Sequence, residues 1–176
     1  PQVQQKESLN VYTRCYVPKS LWGAIICATL LRGYLAYRLG LAEDEAYYWS
    51  WSQRIDVGYF DHPPMVAWWI WIGNYFGHAE IWVRLLNVIS YPLLIWLCWD
   101  LSNRRAECAW IVLSFPLFVG SFLATPDLPL LFFWTLSLWA LRKQRLILLS
   151  IGISGAIFSK LTGLFLFPIV LLARPK

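Results

Sequence analysis

Residues 43–64 read EDEAYYWSWSQRIDVGYFDHPP, and the rest of the chain is arranged around them. The stretch holds five of the ten acidic residues, Glu43, Asp44, Glu45, Asp56 and Asp61, and one of the two histidines, His62. The sequence on either side is strongly apolar. A long polar loop rich in acids and aromatics, set in so hydrophobic a chain, is where chemistry is expected to sit.

Composition bounds the class. The 176 residues are 59% hydrophobic and 14% charged, against about 25% charged in soluble domains. Twelve tryptophans suit a protein whose aromatics collect where membrane meets water. The expectation is an all-α, polytopic transmembrane helical bundle. The net charge of +5 does not point to nucleic acid. Lys6, Arg14, Lys19, Arg104, Arg105, Arg142, Lys143, Arg145, Arg174 and Lys176 fall in short segments assigned to the cytoplasmic side, the positive-inside pattern. Seven of the ten acids fall on the other side. Cys15, Cys27, Cys98 and Cys108 have no metal-like spacing and imply no disulfide framework.

Along the chain, residues 1–17 read as a polar cytoplasmic tail and 18–176 as the transmembrane domain, with 40–80 its first extracytoplasmic loop. Lys19–Leu39 is long enough for a core that takes about 20 residues. Arg32 and Arg38 near its outer end are expected to snorkel or to meet a lipid phosphate. Met65–Phe76, rich in Trp, is too short to span and reads as an interfacial helix started by Pro63-Pro64. Crossings are expected at Ile81–Leu101, Ala106–Ala124 and Leu128–Leu141. Thr125-Pro126-Asp127 has helix-start chemistry, with Thr125 as the cap. Leu146–Ala173 reads as two short segments broken at Ser159–Gly163, which keeps Lys160 out of the bilayer centre. This gives about six membrane segments, with the acidic loop, Asp127 and Lys160 on one outer face.

On a helix, Asp44, Tyr47, Tyr48 and Trp51 share a face. An acid beside an aromatic wall suits a sugar, and the acid could take a proton from an attacking hydroxyl. A solvated acidic loop is the simpler alternative. Asp61-His62-Pro63-Pro64 lies just before a helix start, where phosphate is attracted. Capping by Asp61 and by Asp127, and snorkelling by Lys160, are the structural alternatives. Lys160 could instead hold a phosphate as a point charge.

Four pieces carry a resemblance: DEAYYW (44–49), GYFDHPPMVAW (58–68), TPDLPLLFFW (125–134) and SKLTGLFLFP (159–168). In this order the chain resembles bacterial polyprenyl-phosphate-dependent glycosyltransferases related to the protein O-mannosyltransferases (glycosyltransferase family 39). It is similar to the aminoarabinose transferases and the lipopolysaccharide-core transferases of the RgtA type. The resemblance implies a GT-C fold with short helices in the first outer loop. It implies transfer of a sugar from a polyprenyl-phosphate donor to a glycolipid or protein hydroxyl at the periplasmic face of a bacterial inner membrane. A direct displacement with one base would invert the anomeric centre. Asp44 is then the catalytic acid of the first loop, and Glu45, Tyr48, Asp61, His62, Asp127 and Lys160 contact substrate. His62 replaces a lysine of the aminoarabinose transferases. No metal ligand set is established, although clustered acids suit a divalent ion. Relatives continue for further crossings, so the chain reads as an N-terminal fragment. A lipid-linked sugar flippase or an inactive scaffold are the rival readings. Acids crowded into a loop and the lack of repeated halves weigh against the flippase.

Overall fold

The computed structural model describes residues 19–103, 110 and 114–173, and every regular element among them is a helix. In chain order these are α1 (Lys19–Arg38), α2 (Glu43–Ser52), α3 (Met65–Asn74), α4 (Glu80–Val83), α5 (Leu85–Leu101), α6 (Phe115–Gly120), α7 (Asp127–Arg142), α8 (Leu146–Ser159) and α9 (Leu166–Leu172), with a 3-10 turn at Leu161–Phe165. The tail at 1–17, Cys15, Cys108, Lys6, Arg14, Arg104, Arg105, Arg174, Lys176 and the opening of the expected third crossing lie outside the described residues. Among the described residues, one helix, Ser20–Arg38, is long and apolar enough to cross a membrane. Leu85–Leu101, Leu146–Ser159 and Leu161–Leu172 are apolar but shorter.

The helices pack in two layers of contact. Leu21 and Ile25 of α1, Tyr91, Leu94, Ile95 and Trp99 of α5, and Leu128 of α7 form one buried cluster. Tyr48 of α2, Val66 and Ile70 of α3, Val83 of α4 and Ala124 form a second. The second cluster takes in the acidic helix itself, with Trp49 and Trp51 packed against it. Helices α7 and α8 make the most extensive pair, and glycine permits it. A Cβ at Gly152 would lie 2.4 Å from the Ser137 hydroxyl, and one at Gly155 would lie 2.4 Å from the Phe133 ring. Small residues let helix backbones approach closely, the usual route to tight packing where burial alone drives little association.

The break after α8 falls within the Ser159–Gly163 stretch. Lys160 is extended at φ −159° and ψ 146°, and the chain then turns back so closely that a Cβ on Gly163 would meet the Ala156 carbonyl oxygen at 2.3 Å. The expected second crossing is also interrupted, because Arg84, at φ −97° and ψ 2°, separates α4 from α5. One capping expectation is corrected. The N-cap of α7 is Pro126, not Thr125, and the Thr125 hydroxyl is buried without a partner among the described residues. Helix α3 starts at the Pro63-Pro64 pair as expected, with Pro64 as its N-cap, and no side chain caps it.

Arg32 corrects a larger expectation. It reaches no lipid: it is fully buried. It donates to the carbonyls of Phe118 and Ser121, each at 2.6 Å. Its guanidinium carbon lies 4.1 Å from the centre of the Tyr91 ring. The reason is local. The short helix α6 ends here, and last-turn carbonyls have no helical donor, so they attract a cation. The aromatic faces of Tyr91 and Phe118 add to that attraction.

The fold around the acidic loop is held by a second buried cation. Arg84 donates through Nε to Glu45 Oε1 at 2.7 Å and through Nη2 to Oε2. Its remaining donors reach the carbonyls of Leu39 at 2.7 Å and Gly40 at 2.8 Å. Glu45 in turn accepts the Ala42 N–H at 3.0 Å and the Ala124 N–H at 2.9 Å. One ion pair therefore joins the end of α1, the start of α2, the α4–α5 junction and the segment leading to Asp127. Burial pushes the Glu45 carboxyl upward, but the bonds from Arg84, Ala42 and Ala124 outweigh it and hold it below its ordinary value.

Two predictions follow from this arrangement. Arg84→Met leaves the Glu45 charge buried and uncompensated, which costs about 3–5 kcal/mol. Thermal unfolding in detergent should show the loss, and an unchanged midpoint would refute the clamp. Glu45 titrates lower in the folded chain than in the unfolded one. Its contribution is therefore complete above the unfolded value, about pH 4.3, and is lost as pH falls through the lower folded value. The acid limb of a stability profile should flatten in Glu45→Gln. At the other end of the molecule, Gln144 takes φ 55° just after α7, a conformation that favours glycine. Gln144→Gly should raise stability by about 1 kcal/mol, read from the same melts.

Candidate active site

The site is assembled from four places in the chain: α2, the loop before α3, the turn at the start of α7 and the turn at the end of α8. Helix α2 begins at Glu43 because Ala42 is extended and the Glu45 carboxylate returns to its N–H. Ala42 has no acceptor to complete the reciprocal half of a capping box. With Glu45 drawn inward to Arg84, its neighbour Asp44 is left exposed. The face expected from spacing is present. Tyr47 and Trp51 have ring centres 4.8 Å apart, and Tyr48 and Trp51 are 5.2 Å apart.

The loop at 53–64 is folded back by its aromatics. Tyr59 stacks on Trp51 at 4.4 Å with nearly parallel planes. Its hydroxyl lies 2.9 Å from the Arg54 carbonyl and accepts the Asp56 N–H at 3.1 Å. The Trp68 indole donates to the Asp56 carbonyl at 3.0 Å. This folding returns Asp61 to α2, where it accepts the Tyr47 hydroxyl at 2.7 Å. Asp61 is thus not a helix cap. The same hydrogen bond holds the Tyr47 phenol above its ordinary range.

Tyr48 is the centre of the arrangement. It is only 9% exposed, and its ring lies 6.0 Å from that of His62. Burial raises its phenol first, followed by the negative charges of Asp44, Asp127 and Asp61. Of these, Asp44 lies on the same helix as Tyr48, and Asp61 and Asp127 come from separate segments. Lys160 completes the group by an ion pair with Asp127 at 2.9 Å, in which the two side chains are 36% and 56% exposed. Such an exposed pair contributes little to stability and is open to exchange with another anion.

Of the residues singled out from sequence, the structure sets His62 beside Tyr48 and Asp61 against Tyr47 on the helix of Asp44, and it pairs Lys160 with Asp127, whose charge raises the Tyr48 phenol. Glu45 lies elsewhere: it is fully buried, and both oxygens are occupied by protein donors. Among the described residues, no three His, Cys, Asp or Glu side chains stand close enough to enclose a metal ion. Sequence reasoning gave no role to Arg84, which holds Glu45 and the end of α1 at the start of α2. The available signal was an arginine inside an apolar run, since buried charges there take partners.

Comparison with known proteins gives the family. The model for dolichyl-phosphate-mannose-protein mannosyltransferase matches residues 61–174. The lipid A galacturonosyltransferase RgtD of Rhizobium johnstonii is 30% identical over 142 residues, which cover 71% of this chain and 30% of that protein. The chain thus spans less than a third of the length of that relative. No solved structure matched. The matched region takes in Asp61, His62, Asp127 and Lys160, and the chain belongs to the dolichyl-phosphate-mannose-protein mannosyltransferase family.

Proposed function

We propose that this chain is the donor-handling part of a membrane glycosyltransferase that moves a sugar from a polyprenyl phosphate to a glycolipid hydroxyl at the periplasmic face of a bacterial inner membrane. The observation that carries the reading is the pairing of Lys160 with Asp127, together with Asp61 held against Tyr47 and His62 beside Tyr48 on the helix that carries Asp44. The name of the relative, a lipid A galacturonosyltransferase, supports a glycolipid acceptor. An apolar cavity of about 370 Å³, lined in part by Met65, Phe133, Ile151 and Phe158, opens beside the His62-Pro63-Pro64 segment and suits a prenyl chain. In this reading α1, α5, the 106–124 segment, α7, α8 and α9 make up about six membrane segments. The basic cluster Arg142, Lys143 and Arg145 then faces the cytoplasm.

The chemistry follows from the groups present. The acceptor oxygen attacks the anomeric carbon as the bond from that carbon to the phosphate oxygen breaks. Asp44 takes the hydroxyl proton, and the phosphate leaves with the bonding electrons. Phosphate is already a good leaving group, so positioning and charge neutralisation carry most of the effect. Lys160 exchanges Asp127 for the donor phosphate, and His62 adds a donor. A single base and a direct displacement invert the anomeric centre. The Tyr48 hydroxyl stays protonated among the acids and donates to the sugar.

Asp44→Asn should lower transfer by about 10²–10⁴-fold, the usual reach of a general base, while thermal unfolding stays unchanged. The measurement is mass-spectrometric detection of modified acceptor in proteoliposomes holding the full-length protein and a polyprenyl-phosphate sugar. Normal turnover by that variant would remove Asp44 from the role of base. In the same assay, Lys160→Gln should raise the KM for donor about tenfold, and an effect confined to acceptor KM would contradict the phosphate role.

A further inference from the structure

Helix α3 is apolar on both sides. Its sequence, MVAWWIWIGN, holds no charged residue. Val66, Trp69, Ile70 and Gly73 recur at helical spacing and are buried. They fasten the helix to the bundle. Val66 and Ile70 join Val83 in one cluster, the Trp69 ring meets those of Phe132 and Phe133, and a Cβ on Gly73 would strike the Trp82 carbonyl oxygen. Asn74 donates inward to the Ser52 hydroxyl at 2.9 Å. Trp71, Ile72 and Tyr75 are exposed on the other face. A helix that is hydrophobic all round calls for an apolar environment on every side, and among the described residues protein supplies one side only.

The loop before α3 extends this bare face. Ile55 lines a cavity together with Trp71 and Tyr75. The Trp68 indole holds the Asp56 carbonyl at 3.0 Å, which keeps Val57 beside α3, where it is 82% exposed. We propose, on the membrane reading given above, that Ile55, Val57, Trp71, Ile72, Tyr75 and Phe76 insert into the periplasmic leaflet, so that the loop carrying Asp61 and His62 is anchored in lipid.

The chemistry of the patch selects lipid. The Trp71 indole N–H and the Tyr75 hydroxyl have no hydrogen-bond partner among the described residues. Rings with such polar tips settle at head-group level, with the apolar body in the acyl boundary. Ten residues are too few to cross a core that takes about 20, so α3 lies in the plane of the interface. Charge agrees with this placement. Arg54 borders Ile55, is exposed, and its guanidinium makes no hydrogen bond or ion pair among the described residues, which leaves it for a lipid phosphate. The one acid within the patch, Asp56, turns its carboxylate to the Val57 N–H at 2.6 Å. The stack of Tyr59 on Trp51 and the bond from Tyr47 to Asp61 tie the same loop to α2. Insertion of the loop therefore sets the height of Asp61, His62 and the helix of Asp44 above the bilayer, where lipid-linked substrates present their head groups.

The test places a nitroxide on single cysteines of the full-length protein, its natural cysteines replaced by alanine, in nanodiscs of phosphatidylethanolamine and phosphatidylglycerol. Electron paramagnetic resonance compares collisions with oxygen, which concentrates in lipid, and with a water-soluble nickel chelate. Insertion into the acyl boundary should give Val57→Cys an oxygen-to-nickel ratio about fivefold above that of Glu43→Cys, and Tyr75→Cys should match it. A ratio no higher than that of Glu43→Cys overturns the proposal. Shielding of the Val57→Cys label from both reagents also overturns it, because that marks a protein contact. Leu30→Cys, on the exposed side of α1, separates the two failures. If its label lies in water, the membrane reading fails; if it lies in lipid and that of Val57→Cys does not, the anchored loop alone fails.

Discussion

The buried pair of Glu45 and Arg84 is the constraint on which the rest of the structure depends. Two full charges removed from water gain little unless every donor and acceptor is satisfied. Here they are satisfied by backbone from four separate segments: Leu39, Gly40, Ala42 and Ala124. The requirement to complete those bonds brings the segments to one point. Asp44 is adjacent to Glu45 in sequence, and Asp127 follows Ala124 by three residues. The separation of these two acids is therefore set by a clamp that faces away from both.

Arg32 applies the same principle at a second level. Its partners are the carbonyls of Phe118 and Ser121 and the face of Tyr91, rather than a carboxylate. It stitches α1 to α5 and to the turn after α6, the turn that ends in Ala124. Asn87 reinforces the same turn by donating to the Leu123 carbonyl at 2.6 Å. Cations inside an apolar bundle are expensive unless they are fully engaged. Both of these act as rivets between elements, and neither is a surface group reaching for lipid. The exposed charges behave differently. Lys160 and Asp127 hold each other through one accessible contact, which solvent keeps weak.

The candidate site divides into what spacing exposed and what it concealed. The shared face of Asp44, Tyr47, Tyr48 and Trp51 follows from helical periodicity alone, because it lies within one short helix. The break at Lys160 followed from the cost of a lysine at mid-membrane. The roles of Asp61 and Glu45 did not follow. For Asp61 the spacing left a substrate contact and a helix cap both open, and the stacking of Tyr59 on Trp51 folds the loop back and delivers it to Tyr47. Glu45 looked like a ligand for substrate, but its pairing with a residue 39 positions away turns it into scaffold. Thr125 looked like the cap of α7, and Pro126 takes that place.

The sequence by itself determined that the chain is helical and strongly apolar, that its acids concentrate in one loop, and which family pattern its four motif pieces follow. Those properties are local: they depend on composition, on periods of three and four residues, and on runs of neighbouring side chains. Only the tertiary structure decided which charge is buried with which, that Asp61 meets the Tyr47 hydroxyl, and that Lys160 pairs with Asp127. These are outcomes of long-range packing, where a buried polar group takes whichever partner the fold brings within reach, and sequence distance carries no record of that choice.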